Sequence, residues 1–315
     1  MLTYSFKRLA QLFVTILGVV TLVFFTMRMI PGDPISAMAG DNLSGAALDQ
    51  MREQMGLTEP LLLQYLKYLG SIAMLDFGNT VTTKLPIVQL ILGALPVTVT
   101  IAVGTILLTV LISIPLGTLA AYMAHKGNRA LDNIITGAAM VLDLMPSFWT
   151  SLVCLLVFSL VLGWFPASGM VSLDDPGQLL RRVTLPIVVL SMAQIATMAR
   201  ITRTSVLEVL NEDYVRTARS MGWSELRVLF RHALKNAALP IVTVVGLSFG
   251  NLLNGTVIVE FIFTLPGIGN LLVGGINSRD YQMVQTLILF YAMIFVVINF
   301  ATDLIYRVFD PRVQF

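Results

Sequence analysis

Six stretches of this chain approach or exceed the roughly 18 to 20 apolar residues that cross a bilayer's hydrocarbon core as a helix. They fall near 9–29, 95–122, 134–163, 184–203, 240–262 and 284–306. Backbone at that depth must bond to itself, which restricts such segments to helices or closed barrels. Charge agrees with this: 12% of residues are charged and 56% hydrophobic, against roughly 25% charged in soluble domains. The expected fold class is an all-α membrane protein with about six transmembrane helices.

The same composition excludes other classes. A net charge of +2 gives no nucleic-acid footprint. Cys154 is the single cysteine, so no intrachain disulfide can form. No cluster of cysteines or histidines has metal-ligand spacing, and His125 and His232 read as solvated loop residues. No lysine follows a glycine, so the chain lacks the Gly-Lys-Ser/Thr loop that cradles nucleotide phosphates. The first apolar run follows Lys7 and Arg8 and precedes an Ala37-Met38-Ala39 triplet, as a signal peptide would. It exceeds the roughly 7–15 residues of a signal core and reads as a retained anchor.

Basic residues orient the spans. With the N-terminus cytoplasmic, 13 of the 20 fall on the cytoplasmic side, among them Lys126, Arg129, Arg216, Arg219, Arg227 and Arg231. Both termini are then cytoplasmic. Residues 1–30 form the first transmembrane helix, 31–94 an extracytoplasmic cap of short helices opening at "IPGDP", and 95–315 a five-helix core. That core carries a cytoplasmic loop at 204–238.

Within this loop lies a charged island, "NEDYVRTARSMGWSELRVLF", from Asn211 to Phe230. On a continuous helix Tyr214, Ala218, Met221 and Gly222 share one narrow face, and Glu212 pairs with Arg216 elsewhere. Small residues there admit another surface close to the backbone. The alternative is an amphipathic helix lying on the membrane. Next, Arg227, Arg231 and Lys235 make a basic stripe, with Leu226, Leu229, Phe230, Ala233 and Ala237 opposite. Pro240 suits the first turn of the following span.

"DYVRTARSMG" followed by "RHALKNAALP" resembles the signature loop of ATP-binding-cassette importer permeases, and within them the dipeptide, oligopeptide and nickel branch. The likeness extends to "IPGDP" (30–34), "VEFIFTLPGIGNLL" (259–272), "RDYQMVQ" (279–285) and "DLIYRVFDPRV" (303–313). The general importer motif begins Glu-Ala-Ala where this chain reads Arg216, Thr217, Ala218, a departure shared by the peptide branch. The resemblance implies an importer-type permease fold in a bacterial inner membrane. It also implies a coupling helix, through Tyr214, Thr217, Ala218, Met221 and Gly222, seated on an ATPase subunit. The implied partners are a second homologous permease, two cytoplasmic ATPases that bind ATP and Mg, and an extracytoplasmic solute-binding protein. Asp280 and Tyr281 are candidates for docking that protein. This chain itself is expected to hold no cofactor or metal and to catalyse nothing. The implied substrates are short peptides, or alternatively nickel complexes, glutathione or another small solute.

Polar residues inside the spans are candidates for the pathway, because charge at bilayer depth is costly and faces protein or water. Asp143 in the third span either lines the pathway or pairs with a neighbouring helix, and Pro146, also a pathway candidate, must loosen that span. Asn251 and Asn254 lie beside Gly250 and Gly255 and fit interhelical hydrogen bonding. Glu260 either meets a substrate amine or holds the "TLPGIG" turn. Asp303 and Arg307 form a helix-end ion pair. An intramembrane protease would need paired acids or a nucleophile beside a base. An ion-coupled carrier would show internal repeats. Neither pattern is evident.

Overall fold

A computed structural model of the chain describes residues 2–29, 45–54, 56–167 and 175–309. The "IPGDP" segment lies outside the described residues, as do the side chains of Asn251, Asn254, Asp303 and Arg307. The helices are α1 (Leu2–Met29), α2 (Gly45–Gln54), α3 (Leu61–Ala73), α4 (Ile87–His125), α5 (Arg129–Leu144) and α6 (Ser147–Val161). They continue as α7 (Pro176–Leu210), α8 (Asp213–Ser220), α9 (Glu225–Asn236), α10 (Ala238–Ile262), α11 (Ile268–Asn277) and α12 (Tyr281–Phe309). Among the described residues β pairing is limited to one isolated bridge, Asn79 with Pro86.

The chain forms two compact units. The first comprises residues 1–96 and 267–297. In it Phe24 of α1 packs on Tyr65 and Tyr68 of α3, with ring centroids 5.4 and 5.6 Å apart. The Thr21 hydroxyl shares a 2.6 Å hydrogen bond with the Tyr65 hydroxyl. A second apolar group joins Ile87, Ile91 and Ala94 of α4 to Ile268 of α11 and to Met283 and Leu287 of α12. Segments that the sequence places at one end of the spans therefore meet here.

The second unit comprises residues 97–266 and 298–315. Its core joins Val97 and Ile101 of α4, Cys154 of α6, Val183 and Val189 of α7, and Leu252 and Val259 of α10. Helices approach closely where side chains vanish. A Cβ on Gly117 of α4 would lie 2.4 Å from the Ala199 carbonyl oxygen of α7. Asp175 starts α7 by accepting from the Gly177 and Gln178 N–H groups at 3.0 and 3.1 Å, with Pro176 at the first helical position. Those backbone bonds hold its carboxyl below the usual carboxylate range.

The third span is broken where Pro146 stands. Pro146 has no N–H to give, and it pushes Met145 into extended backbone, ψ 119°. α5 and α6 consequently meet at 97°. Among the described residues four helices are long and apolar enough to cross a membrane, and counting two bent pairs as one crossing each brings the total to six.

Six helix ends share one closure. The residue past the cap takes positive φ, and the next N–H bonds back five residues. Gly56, Leu75, Gly127, Gly222, Thr264 and Arg279 hold that position. Leu75, Thr264 and Arg279 do so against roughly 1–2 kcal/mol of side-chain crowding.

The Gly117 contact generates a paired test. Gly117→Ala should destabilise the purified protein by about 1–3 kcal/mol, because a backbone oxygen blocks the new methyl. Gly93→Ala on the same helix meets nothing within 4 Å and should leave thermal unfolding in detergent unchanged or slightly raised. Equal midpoints for the two variants would contradict the close approach.

Candidate functional site

The island is built on α7, which ends at Leu210, where the Asn211 side chain donates to the Leu207 carbonyl at 3.0 Å. α8 then runs only eight residues. Val215 and Ala218 face inward and are buried with Ala121, Val206, Leu210, Val228 and Leu229. Burying a valine completely is worth about 1.5–3 kcal/mol, so this side seats the helix on its own unit. The outward residues are Tyr214, Arg216, Thr217 and, past the end, Met221, which is 73% exposed.

Two residues of the expected contact face have a structural use of their own. Ala218 is 8% exposed, and its smallness admits the chain's own core. Gly222 lies beyond the helix at φ +80°. Its N–H bonds to Arg219 O at 2.9 Å and that of Trp223 to Ala218 O at 3.4 Å. Glycine there answers a backbone requirement of helix termination. The expected Glu212–Arg216 pair is replaced as well. Glu212 is the residue before the helix, and Arg216 reaches Asp213 at 3.3 Å.

α9 departs from a regular stripe because Val228–Ala233 forms a π-helical turn. The wider turn advances the register by a residue. Val228, Leu229 and Ala233 are buried, while Leu226 and Phe230 are 67% and 62% exposed. Nothing in the i, i+4 spacing announces this change. The Asn236 amide donates to the Tyr214 hydroxyl at 2.9 Å, tying α9 to α8. Trp223 stands edge-on to His232 at 4.6 Å and under the Arg227 guanidinium at 5.7 Å. Arg219 approaches Glu225 at 3.3 Å. The result is a braced loop presenting Tyr214, Met221, Leu226 and Phe230 outward.

Two ion pairs join α5 to α7. Asp143 accepts from Arg200 at 2.7 Å and from the Thr197 hydroxyl at 2.9 Å. Of the two expected roles, the geometry provides the bond to a neighbouring helix. Asp132, which the sequence reading overlooked, takes both prongs of the Arg203 fork at 2.5 Å. A signal was present: Asp132 is an acid one turn into an apolar helix, and Arg203 is a base in the next apolar span. Glu260 is wholly buried, and its carbonyl accepts from the Leu265 N–H at 2.9 Å, closing the turn before α11.

Asp280 is fully buried, and its carboxylate is taken up within the chain. One oxygen accepts from the Met283 N–H at 3.0 Å and caps α12. The other accepts from the Val81 N–H at 2.8 Å and the Thr82 hydroxyl at 3.4 Å, fastening the 79–86 turn to the start of α12. Tyr281 beside it is half-buried.

Comparison with known proteins places this architecture. Residues 113–315 match the family described as binding-protein-dependent transport system inner membrane component, and residues 1–102 match its N-terminal family. A putative peptide transport system permease protein of Brucella abortus is 39% identical over 310 residues, covering 98% of each chain. The oligopeptide transport system permease protein AppB of Bacillus subtilis is 37% identical over 319 residues, covering 100% of both. The di/tripeptide transport system permease protein DppB of Pseudomonas aeruginosa is 36% identical over 336 residues, covering 100% of this chain and 99% of that one. Among solved structures, an inward-facing MetNI methionine ABC transporter matches with a TM-score of 0.60 at 15% identity, over 71% of this chain and 98% of that chain. With both halves of the chain matched, and full-length relatives sharing more than a third of its residues, the chain belongs to the family of inner membrane components of binding-protein-dependent transport systems.

Proposed function

We propose that this chain is the permease subunit of an ATP-driven importer that passes short peptides inward. A second, homologous permease completes the pathway, two cytoplasmic ATPases hold ATP and Mg, and an extracytoplasmic binding protein delivers the solute. The peptide class follows the names of the full-length relatives. Nickel complexes, glutathione and similar small solutes are the reserve. In this reading the 45–86 region faces outside, and the α8–α9 loop faces the cytoplasm. Asp143, Pro146, Asn251, Asn254 and Glu260 are the polar and helix-breaking positions from which the pathway would be drawn.

The observation that carries the coupling part is the α8–α9 loop. It is held by Val215, Ala218, Val228 and Leu229 from within and leaves Tyr214, Met221, Leu226 and Phe230 outside. Large apolar side chains on a braced base give a partner something rigid to grip at little entropic cost. Thr217, on the outward side with them, completes the proposed contact.

Met221→Asp combined with Phe230→Asp should leave insertion and permease pairing intact while lowering ATPase co-purification at least tenfold. Arg216→Ala should change it little, since exposed helical pairs contribute about 0.3–0.5 kcal/mol. Full ATPase recovery and full transport with the double aspartate variant would remove this loop as the coupling surface. Orientation has its own test. In a Cys154→Ala background, a maleimide that cannot cross the membrane should label Leu75→Cys from outside and Ser224→Cys only from the cytoplasm. Labelling of Ser224→Cys from outside would invert the topology.

A further inference from the structure

The first unit contains a cavity of about 390 Å³, within the range of pockets that enclose small ligands. Its walls come from the end of α1, from α3, from the 76–81 segment and from the first turns of α12. Sequence reading offered no sign of it, because four separated segments supply the lining. Its chemistry is unusually mixed for a space beside a membrane helix.

Three buried polar atoms on this lining make no hydrogen bond: Gln64 Oε1, the Tyr68 hydroxyl and Gln285 Nε2. Gln64 is fixed in orientation, because its Nε2 donates to the Glu59 and Leu57 carbonyls at 2.7 and 3.2 Å. That leaves Oε1 as an acceptor. Gln285 lies within reach of the Tyr68 hydroxyl, so the two form a polar pair that can bond each other or a ligand placed between them and Gln64. Burial pushes the Tyr68 pKa up to about 12, so the hydroxyl keeps its proton and can donate. An acceptor and two donors, each costly to leave unmade, therefore line one space. A peptide unit offers the complement, one N–H and one C=O.

Charges of both signs frame these groups. The Arg28 guanidinium lies over the Phe24 ring at 5.2 Å, which directs a fork suited to a carboxylate. Asp76 gives one oxygen to the Gly78 N–H at 3.0 Å. Its other oxygen takes no bond from a described residue and is available to an ammonium group. Phe24, Phe77 and Tyr281 supply aromatic wall for apolar side chains.

We propose that this cavity is a binding subsite for a short zwitterionic peptide, with its carboxylate at Arg28, its amine toward Asp76 and an amide between Gln64 and the Tyr68–Gln285 pair. The proposal rests on the peptide-importer reading above and adds to it that the permease itself holds peptide, apart from the binding protein. A phospholipid headgroup is the competing occupant, since α3 exposes Leu61, Leu62 and Leu66 nearby. Its phosphodiester presents only acceptors and has nothing to give the Gln64 oxygen, and a choline headgroup has no N–H for Asp76, whereas a short peptide carries an amide N–H and C=O besides its two charged ends.

The test uses the complete importer in phosphatidylcholine nanodiscs without its binding protein. A radiolabelled tripeptide should bind saturably, and a benzophenone-bearing tripeptide should crosslink within 64–81 or 281–286. Arg28→Gln and Gln285→Leu should each weaken binding about ten- to a hundredfold, and N-acetylation or C-terminal amidation of the peptide should do the same. Transport by the wild-type importer with its binding protein is measured in parallel. If the wild type transports peptide yet shows no saturable binding, or both variants bind normally, the subsite is refuted while the importer reading stands. If the wild type transports no peptide, the importer reading fails first. Loss of co-purifying phospholipid in Arg28→Gln, with peptide binding unchanged, assigns the cavity to lipid and overturns the proposal. The crosslinking result needs no variant, so a variant that misfolds does not leave the question open.

Discussion

A peptide group inside hydrocarbon has no water to bond, and each one left unpaired costs several kcal/mol. That single constraint explains why the described residues are helix nearly throughout and why the exceptions cluster at helix ends. Every end must dispose of carbonyls that no following turn receives. This chain repeats one solution, a left-handed residue whose own N–H and its neighbour's turn back onto the helix, at Gly56, Leu75, Gly127, Gly222, Thr264 and Arg279. Three of the six are not glycine. At Thr264 the β-branched side chain makes the conformation dearer still, and the buried Leu265 and Phe263 on either side hold the turn in place.

The same constraint shapes the loop that carries the functional reading. α8 is too short to be stable alone; it exists because Val215 and Ala218 are buried against α7 and α9. Its termination at Gly222 frees Met221 and Trp223 from the helix, one turned outward and the other packed on His232. The π turn in α9 then rotates Phe230 out and Val228 in. Two backbone irregularities, added to the two-sided pattern of α8, decide which side chains are presented.

This accounts for what could be read in advance. Long apolar runs announce crossings because their only physical solution is a helix, and α1, α4, α7, α10 and α12 lie where those runs lie. Pro146 announced a disturbance, but a sequence does not say whether a proline bends a helix gently or ends it; here Met145 is extended and the break is 97°. Small residues were ambiguous for a related reason. Ala218 and Gly222 are spaced like a contact face, yet one fills a core and the other satisfies a dihedral angle. Asp280 shows the third limit. An exposed-looking "RDYQMVQ" gives no hint that its acid is claimed by the 79–86 turn, some two hundred residues earlier, because long-range partners leave no local trace.

The paired charges follow from the cost of burying them. Asp132 has 9% of its side chain exposed and meets Arg203 with both oxygens. Such pairs add little net stability, but removing one partner strands a charge at a cost of about 3–5 kcal/mol. Their value lies in position: Asp132 with Arg203 and Asp143 with Arg200 are two points that hold α5 to α7. α7 is one uninterrupted helix of 35 residues, carrying both arginines and, seven residues past the second, the end from which α8 hangs. The loop that presents Tyr214 and Met221 is therefore joined through one covalent rod to the ion pairs, and α5 reaches from those pairs to the break at Pro146. A displacement of α8 that is not absorbed at Asn211 must be borne by α7, and the two bidentate or doubly bonded carboxylates are where α5 would have to follow it or lose them.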